Sequence, residues 1–349
     1  MSASHASVCR CYMCMLKLPT VPVADPHCHY WTPNTHCWLH ELADPDHAFH
    51  KLAPLCRDYL PRHHLADMLK IDLRETVYIQ ADMHDATSAV EEVAWVSGIA
   101  SATGRPNAII GYAPLHMPEE AVAVLDACSR YAPYRGVRFM LDFHPTRKEL
   151  CQTDRGDYMS DPNFRKGLQL LAPRGLLFEL QVCQCQLPQA AELVGSLPDV
   201  TFVLNHAGFP LRGEFDDWRA GMAQLARHRN VACKLSAFGT YDEPAFSQEE
   251  TRDHVAVCLE LFGVDRCMFA SNLPVDRVDQ SPPARWASLW DSVQSCGAAE
   301  LEKLFRRNTL RYYRIEEMPG DRSTDHDGGT TGKRRQAEGD LASARRRFE

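Results

Sequence analysis

Val21–Tyr30 reads VPVADPHCHY, an apolar, β-branched beginning that runs into a polar end. The beginning has strand composition. Asp25, His27 and His29 alternate along the end, so the strand period puts all three on one face and Cys28 on the other. A strand that turns polar at its C-terminal end is what a parallel barrel needs at its mouth. Pro26 removes a backbone donor there, which fits a distorted strand. Seven more strand-like runs follow: Glu75–Asp82, Ala108–Leu115, Gly136–Leu141, Gly175–Val182, Thr201–Gly208, Val231–Phe238 and Cys267–Asp276. The segments between them are longer and carry helical spacing at Val90–Ile99, Ala121–Cys128 and Phe164–Leu171. Eight strands alternating with helices predict an α/β fold, a distorted (β/α)8 TIM barrel over residues 21–316. A dinucleotide-binding sheet would need a glycine-rich first turn, and Asp25-Pro26-His27 has no glycine.

The flanks differ in character. Residues 1–20 form an extension holding Cys9, Cys11 and Cys14 with no fourth ligand at zinc-module spacing, so a thiol-rich, disordered leader is expected. Residues 317–349 contain almost no large apolar side chains, which predicts a disordered charged tail. Its Lys333-Arg334-Arg335 run reads as solvated charge, or else as a nuclear-import or anion-binding patch.

The 349 residues are 24% charged and 45% hydrophobic, a globular balance. A net charge of -8 and a pI near 6.1 argue against a nucleic-acid partner. No run approaches the roughly 20 apolar residues that span a bilayer. The 14 cysteines are scattered through strands and read as reduced thiols of a cytoplasmic protein. The absence of acidic residues before Asp25 leaves mitochondrial targeting as the alternative. Subunit number is not legible.

Several residues carry chemistry. His27 and His29 can chelate one metal ion, or one can bind substrate while the other moves protons. His206 follows the apolar run Thr201–Leu204, a position that suits a functional or a merely capped histidine. Asp276 closes Ser271-Asn272-Leu273-Pro274-Val275-Asp276 and offers a carboxylate for general-base work or for a helix cap. Arg138, Gln181 and Lys234 are long polar groups inside strands. Each either serves a ligand or is satisfied internally, the two cations by Glu179 or Asp82.

Together, D-P-H-x-H-x-W, G-V-R, F-E-L-Q, N-H-x-G and S-N-x-P-V-D, in that order over Pro22–Ile315, resemble the amidohydrolase superfamily, in its amidohydrolase-2, fuconolactonase-like branch. Asp44-Pro45 and Arg57–Pro61 add to the likeness. The resemblance implies a barrel that hydrolyses a small cyclic ester such as a sugar lactone. By it, His27 and His29 match the first-strand pair and His206 the sixth-strand histidine. Gln181 stands where metal-loaded members have another histidine, and Asn272 where many have the metal-binding, water-activating Asp. Asn is no base and Gln a poor ligand, so the expected cofactor is either one weakly held divalent ion, zinc or manganese, or none. Asp276 and His206 are then the expected catalytic pair. Arg138, Gln181, Lys234, Asn272 and Trp31 are the expected substrate contacts, and His27 and His29 the metal candidates. Three rivals are a metal-dependent decarboxylase, a non-catalytic small-molecule-binding barrel, and a regulatory protein acting through its tails.

Overall fold

A computed structural model describes residues 16–47, 50–83, 89–240 and 245–317. The eight expected strands are present, all but β4 shorter than expected: β1 Val23–Cys28, β2 Leu73–Ile79, β3 Ala108–Gly111, β4 Tyr134–Met140, β5 Leu177–Gln181, β6 Phe202–Leu204, β7 Val231–Leu235 and β8 Cys267–Phe269. They form one parallel sheet in chain order. Between them run α1 (Trp38–Glu41), α2 (Pro61–Asp67), α3 (Ala89–Thr103), α4 (Pro118–Cys128), α5 (Pro162–Gln169), α6 (Leu187–Ser196), α7 (Phe215–Ala226) and α8 (Gln248–Phe262). After β8 come α9 (Pro282–Asp291), α10 (Ala298–Glu302) and α11 (Asn308–Tyr313). The chain divides into one compact unit, Met1–Ile315, and a second, Glu316–Glu349. The leader through residue 15 and the tail from residue 318 lie outside the described residues.

Local chemistry explains the helix boundaries. Ser247 and Glu250 form a reciprocal capping box at the start of α8. Asp161 accepts from the Asn163 amide ahead of α5, with Pro162 in the first turn. A Cβ on Gly167 in α5 would sit 2.0 Å from the Leu115 carbonyl oxygen, so glycine lets that helix lie against the β3 loop.

Alternation along the strands builds two apolar layers. Val137, Phe178, Leu180, Cys233 and Phe269 face outward into the packed helices. Val77, Ile79, Ile110, Leu177, Met268 and their neighbours fill the barrel, with Tyr313 of α11 packed among them. Above this plug the inward positions become polar: Glu179, Gln181, Arg138 and Lys234.

The strand ends depart from expectation. Asp82, His206, Ala237 and Asn272, just past β2, β6, β7 and β8, all have left-handed backbone (φ 54–55°). Regular pairing has ended two or three residues before each of them, and such backbone costs energy that surrounding structure must offset.

The face assignment at β1 needs correction. The register slips between Asp25 and Cys28, where three steps of β1 match two steps of β2. This bulge returns His27 and His29 to the interior but leaves Asp25 on the outer side with Cys28. There Asp25 accepts from the Ser271 amide (2.9 Å) and hydroxyl (2.5 Å), joining β1 to the end of β8. A parallel bridge from Cys28 to Leu273 continues that seam.

Candidate active site

The C-terminal mouth of the barrel holds a cavity of about 360 Å³, a size that suits a small molecule. Its floor includes His29, Arg138, Gln181, His206 and Asn272, each at or just past the end of a different strand. The wall is partly aromatic. Trp31 stacks near His29 (centroids 6.0 Å, 18° between planes) and meets Trp38 edge-on at 5.6 Å. Trp31 donates to the Arg57 carbonyl and Trp38 to the Ala81 carbonyl, so both indoles are fixed.

The histidines differ in what they present. His29 Nδ1 lies 2.9 Å from the Ile79 carbonyl, which only accepts. Nδ1 therefore carries the proton and Nε2 holds a lone pair. Burial, aided by the Arg138 charge, pushes His29 down to about 3. His206 Nδ1 lies 2.8 Å from Ser236 Oγ, and burial together with Lys234 holds this ring far below the ordinary histidine value. Both rings are neutral near pH 7. His27 lies behind them, with ring centroids 4.4 Å from His206 and 5.0 Å from His29.

Arg138 is held by Gln181 Oε1 (3.0 Å) and by the Gln80 carbonyl, while its buried Nε–H has no protein acceptor. Gln181 in turn donates to Asp142 Oδ2 at 2.9 Å. Burial pushes the Asp142 carboxyl up to about 7.

Besides His27, two expected site residues, Lys234 and Asp276, lie off the cavity wall. Lys234 is fully buried in the barrel, 2.7 Å from Glu179 Oε2 and 3.3 Å from His27 Nδ1. The internal pair with Glu179 is thus the arrangement found, and Tyr313 donates to the other Glu179 oxygen. Asp276 is buried beneath Asn272. Its Oδ1 accepts from Asn272 Nδ2 (2.7 Å) and Thr240 Oγ1 (3.0 Å), and its Oδ2 lies 3.5 Å from Arg285 Nη2. It does not line the cavity. A carboxylate only accepts, so this contact turns the Asn272 amide nitrogen down toward Asp276, leaving Oδ1 as its other end.

Sequence reasoning missed Trp38, Lys51 and Asp82 on the wall, Ser236 behind His206, and Asp142 behind Gln181. Trp38 and Lys51 sit in the long β1–β2 connection, which has no strand pattern to mark them. Asp82 had been weighed only as an ion-pair partner.

The matching region runs over residues 24–315, where the chain fits the family model described as Amidohydrolase. The chain belongs to the amidohydrolase family. Within it, this member falls in the fuconolactonase-like branch and is a hydrolase. It is 33% identical to "Uncharacterized protein y4mH" of Sinorhizobium fredii, across 84% of this chain and 99% of that one. It is 25% identical to L-fucono-1,5-lactonase of Burkholderia ambifaria, across 85% and 97%. A crystal structure of an amidohydrolase from Burkholderia multivorans with bound Zn superposes with a TM-score of 0.71, at 24% identity, over 85% of this chain and 100% of that one. That likeness shows the shared barrel.

The family resemblance raises the question of a metal. Among the described residues, one group brings three ligand atoms of suitable type within 4.8 Å of one another: Asp25, Cys28 and His64, all buried. These are zinc's donor types. They lie on the outer side of β1, where Asp25 already accepts from Ser271 and burial pushes the Cys28 thiol up. His27, His29 and His206 do not converge in that way, so the mouth histidines do not fit a ready metal site. Among the described residues, no helix is long and apolar enough to cross a membrane.

Proposed function

We propose that this amidohydrolase opens a small lactone by attack of a water molecule at the barrel mouth, without a step through a metal ion. One observation carries the reading. Arg138, whose Nε–H has no protein acceptor, lines the same cavity as two neutral histidines and a fixed aromatic wall. The lactonase names of its relatives support the same class of substrate.

In this reading the lactone ring lies against Trp31, which supplies apolar contact. Arg138 donates to the carbonyl oxygen and stabilises the charge that develops on it. Gln181 holds the guanidinium in place. Asn272 Oδ1 accepts one hydrogen bond from the water and His206 Nε2 the other. His206 takes its proton as oxygen attacks the carbonyl carbon. The tetrahedral adduct then collapses, the ring C–O bond breaks, and the proton on His206 passes to the departing ring oxygen. Water and lactone are consumed and a hydroxy acid is released. Asp276, set behind Asn272, orients the amide and does not itself take the proton.

A pH-indicator assay against a panel of sugar and aromatic lactones, with and without chelator, tests this. Acid release from at least one lactone, undiminished by chelator, is expected. No release from any lactone overturns the reading, and release abolished by chelator overturns its metal-free form.

A further inference from the structure

We infer that Lys234 fixes His27 as its Nε2–H tautomer, so that His27 and His29 present opposite polarity and are not two ligands of one cation. The tautomer follows from hydrogen-bond inventory. An ammonium has three donors and no acceptor. Lys234 Nζ lies 2.7 Å from Glu179 Oε2 and 3.3 Å from His27 Nδ1, with all three side chains fully buried. Glu179 gives its other oxygen to Tyr313 OH at 2.5 Å. Discharging Lys234 would strand a buried carboxylate without its counter-charge. The ammonium is therefore retained, His27 Nδ1 accepts, and the one proton of the neutral ring sits on Nε2.

His29 has the opposite assignment, since the Ile79 carbonyl at 2.9 Å requires a proton on Nδ1. Two neighbouring rings on one strand thus present opposite polarity, a donor from His27 and a lone pair from His29. A divalent ion on both Nε2 atoms would need the His27 proton moved to Nδ1, against the Lys234 donors. It would also meet the ammonium charge across the same ring.

A second observation agrees. His27 Nε2 is buried and has no protein hydrogen-bond partner. A buried donor left open this way is costly unless something accepts from it. The chemistry that completes it is an acceptor oxygen. Lys234 then acts as a positioning residue, with its charge built into the barrel.

The test uses the full chain and no lactone, so it stays readable if the hydrolytic reading fails. Histidine-labelled protein is examined by nitrogen-15 NMR, and the His27 ring is assigned by its loss in His27→Asn. The Nε2–H pattern is expected; an Nδ1–H pattern overturns the inference. Zinc is then titrated onto chelator-stripped wild type and onto Glu179→Gln/Lys234→Met, which removes both charges together. The part of zinc binding that His27→Asn abolishes is expected to tighten tenfold or more in the double variant. Equal His27-dependent affinity in both proteins overturns it. Should the double variant fail to fold, the tautomer in the wild type decides alone.

Discussion

Asn272 and Asp276 are joined by a 2.7 Å hydrogen bond in which the amide nitrogen donates to the carboxylate. The pair lies just past β8, and only Asn272 reaches the cavity. Asp276 therefore sets which end of the amide its neighbour can offer. Asp276→Asn keeps an acceptor for Asn272 but removes the charge opposite Arg285. A loss of about 10-fold to 100-fold in kcat is expected, below the upper range of about 10⁴ for a lost general base. The acid limb of the pH–rate profile should stay in place. A larger loss with a displaced limb would make Asp276 the base.

Asp25 and Ser271 hold the seam between β1 and β8 through two hydrogen bonds to one carboxylate. Ser271→Ala removes the hydroxyl donor and leaves a buried charge less satisfied, which should cost about 1–3 kcal/mol in urea unfolding. A silent substitution would show that the bridge at Cys28 and Leu273 suffices.

The barrel was legible because its signal is repetition, eight apolar strands each followed by a longer segment. His29, His206, Arg138, Gln181 and Asn272 were legible because strand ends converge on one mouth whatever the loops do. The strand limits were not. Asp82 and Asn272 look like strand residues in sequence, but each lies three residues past its strand with left-handed backbone. The side of Asp25 was hidden by a bulge, which shifts a face without altering composition. Lys234 had two open readings because a buried cation looks the same whether it meets a ligand or Glu179; only the 2.7 Å contact separates them.

Asp142 makes stability depend on pH in an identifiable direction. Burial raises its carboxyl from 3.8 to about 7. Between those values the folded protein keeps a proton that the unfolded chain gives up, so folding weakens as pH rises. The slope from this group is about 1.4 kcal/mol per pH unit and ends above about 7. Asp142→Asn keeps an acceptor for Gln181 and removes the titration. Its stability relative to wild type should therefore improve steadily from pH 4 to pH 7 and level off beyond. A difference that is constant with pH would show that Asp142 titrates like an exposed carboxyl.

His206 gives the sharpest kinetic expectation. Burial and the Lys234 charge depress its pKa, so the neutral, proton-accepting form persists as pH falls through the usual histidine value of about 6.5. His29 is also depressed, to about 3, so neither ring gains charge in that range. For whichever lactone the screen finds, kcat/KM should run level from pH 8 through 6.5 and fall only on the more acidic side. His206→Asn should lower kcat by about 10² to 10⁴ at all of these pH values while leaving KM nearly unchanged. Ser236→Ala, which removes the partner of Nδ1, should weaken turnover by less and shift the acid limb. A half-loss of activity at pH 6.5 in the wild type would mean that the reacting histidine is exposed to water, and His206 would give up its place as the base.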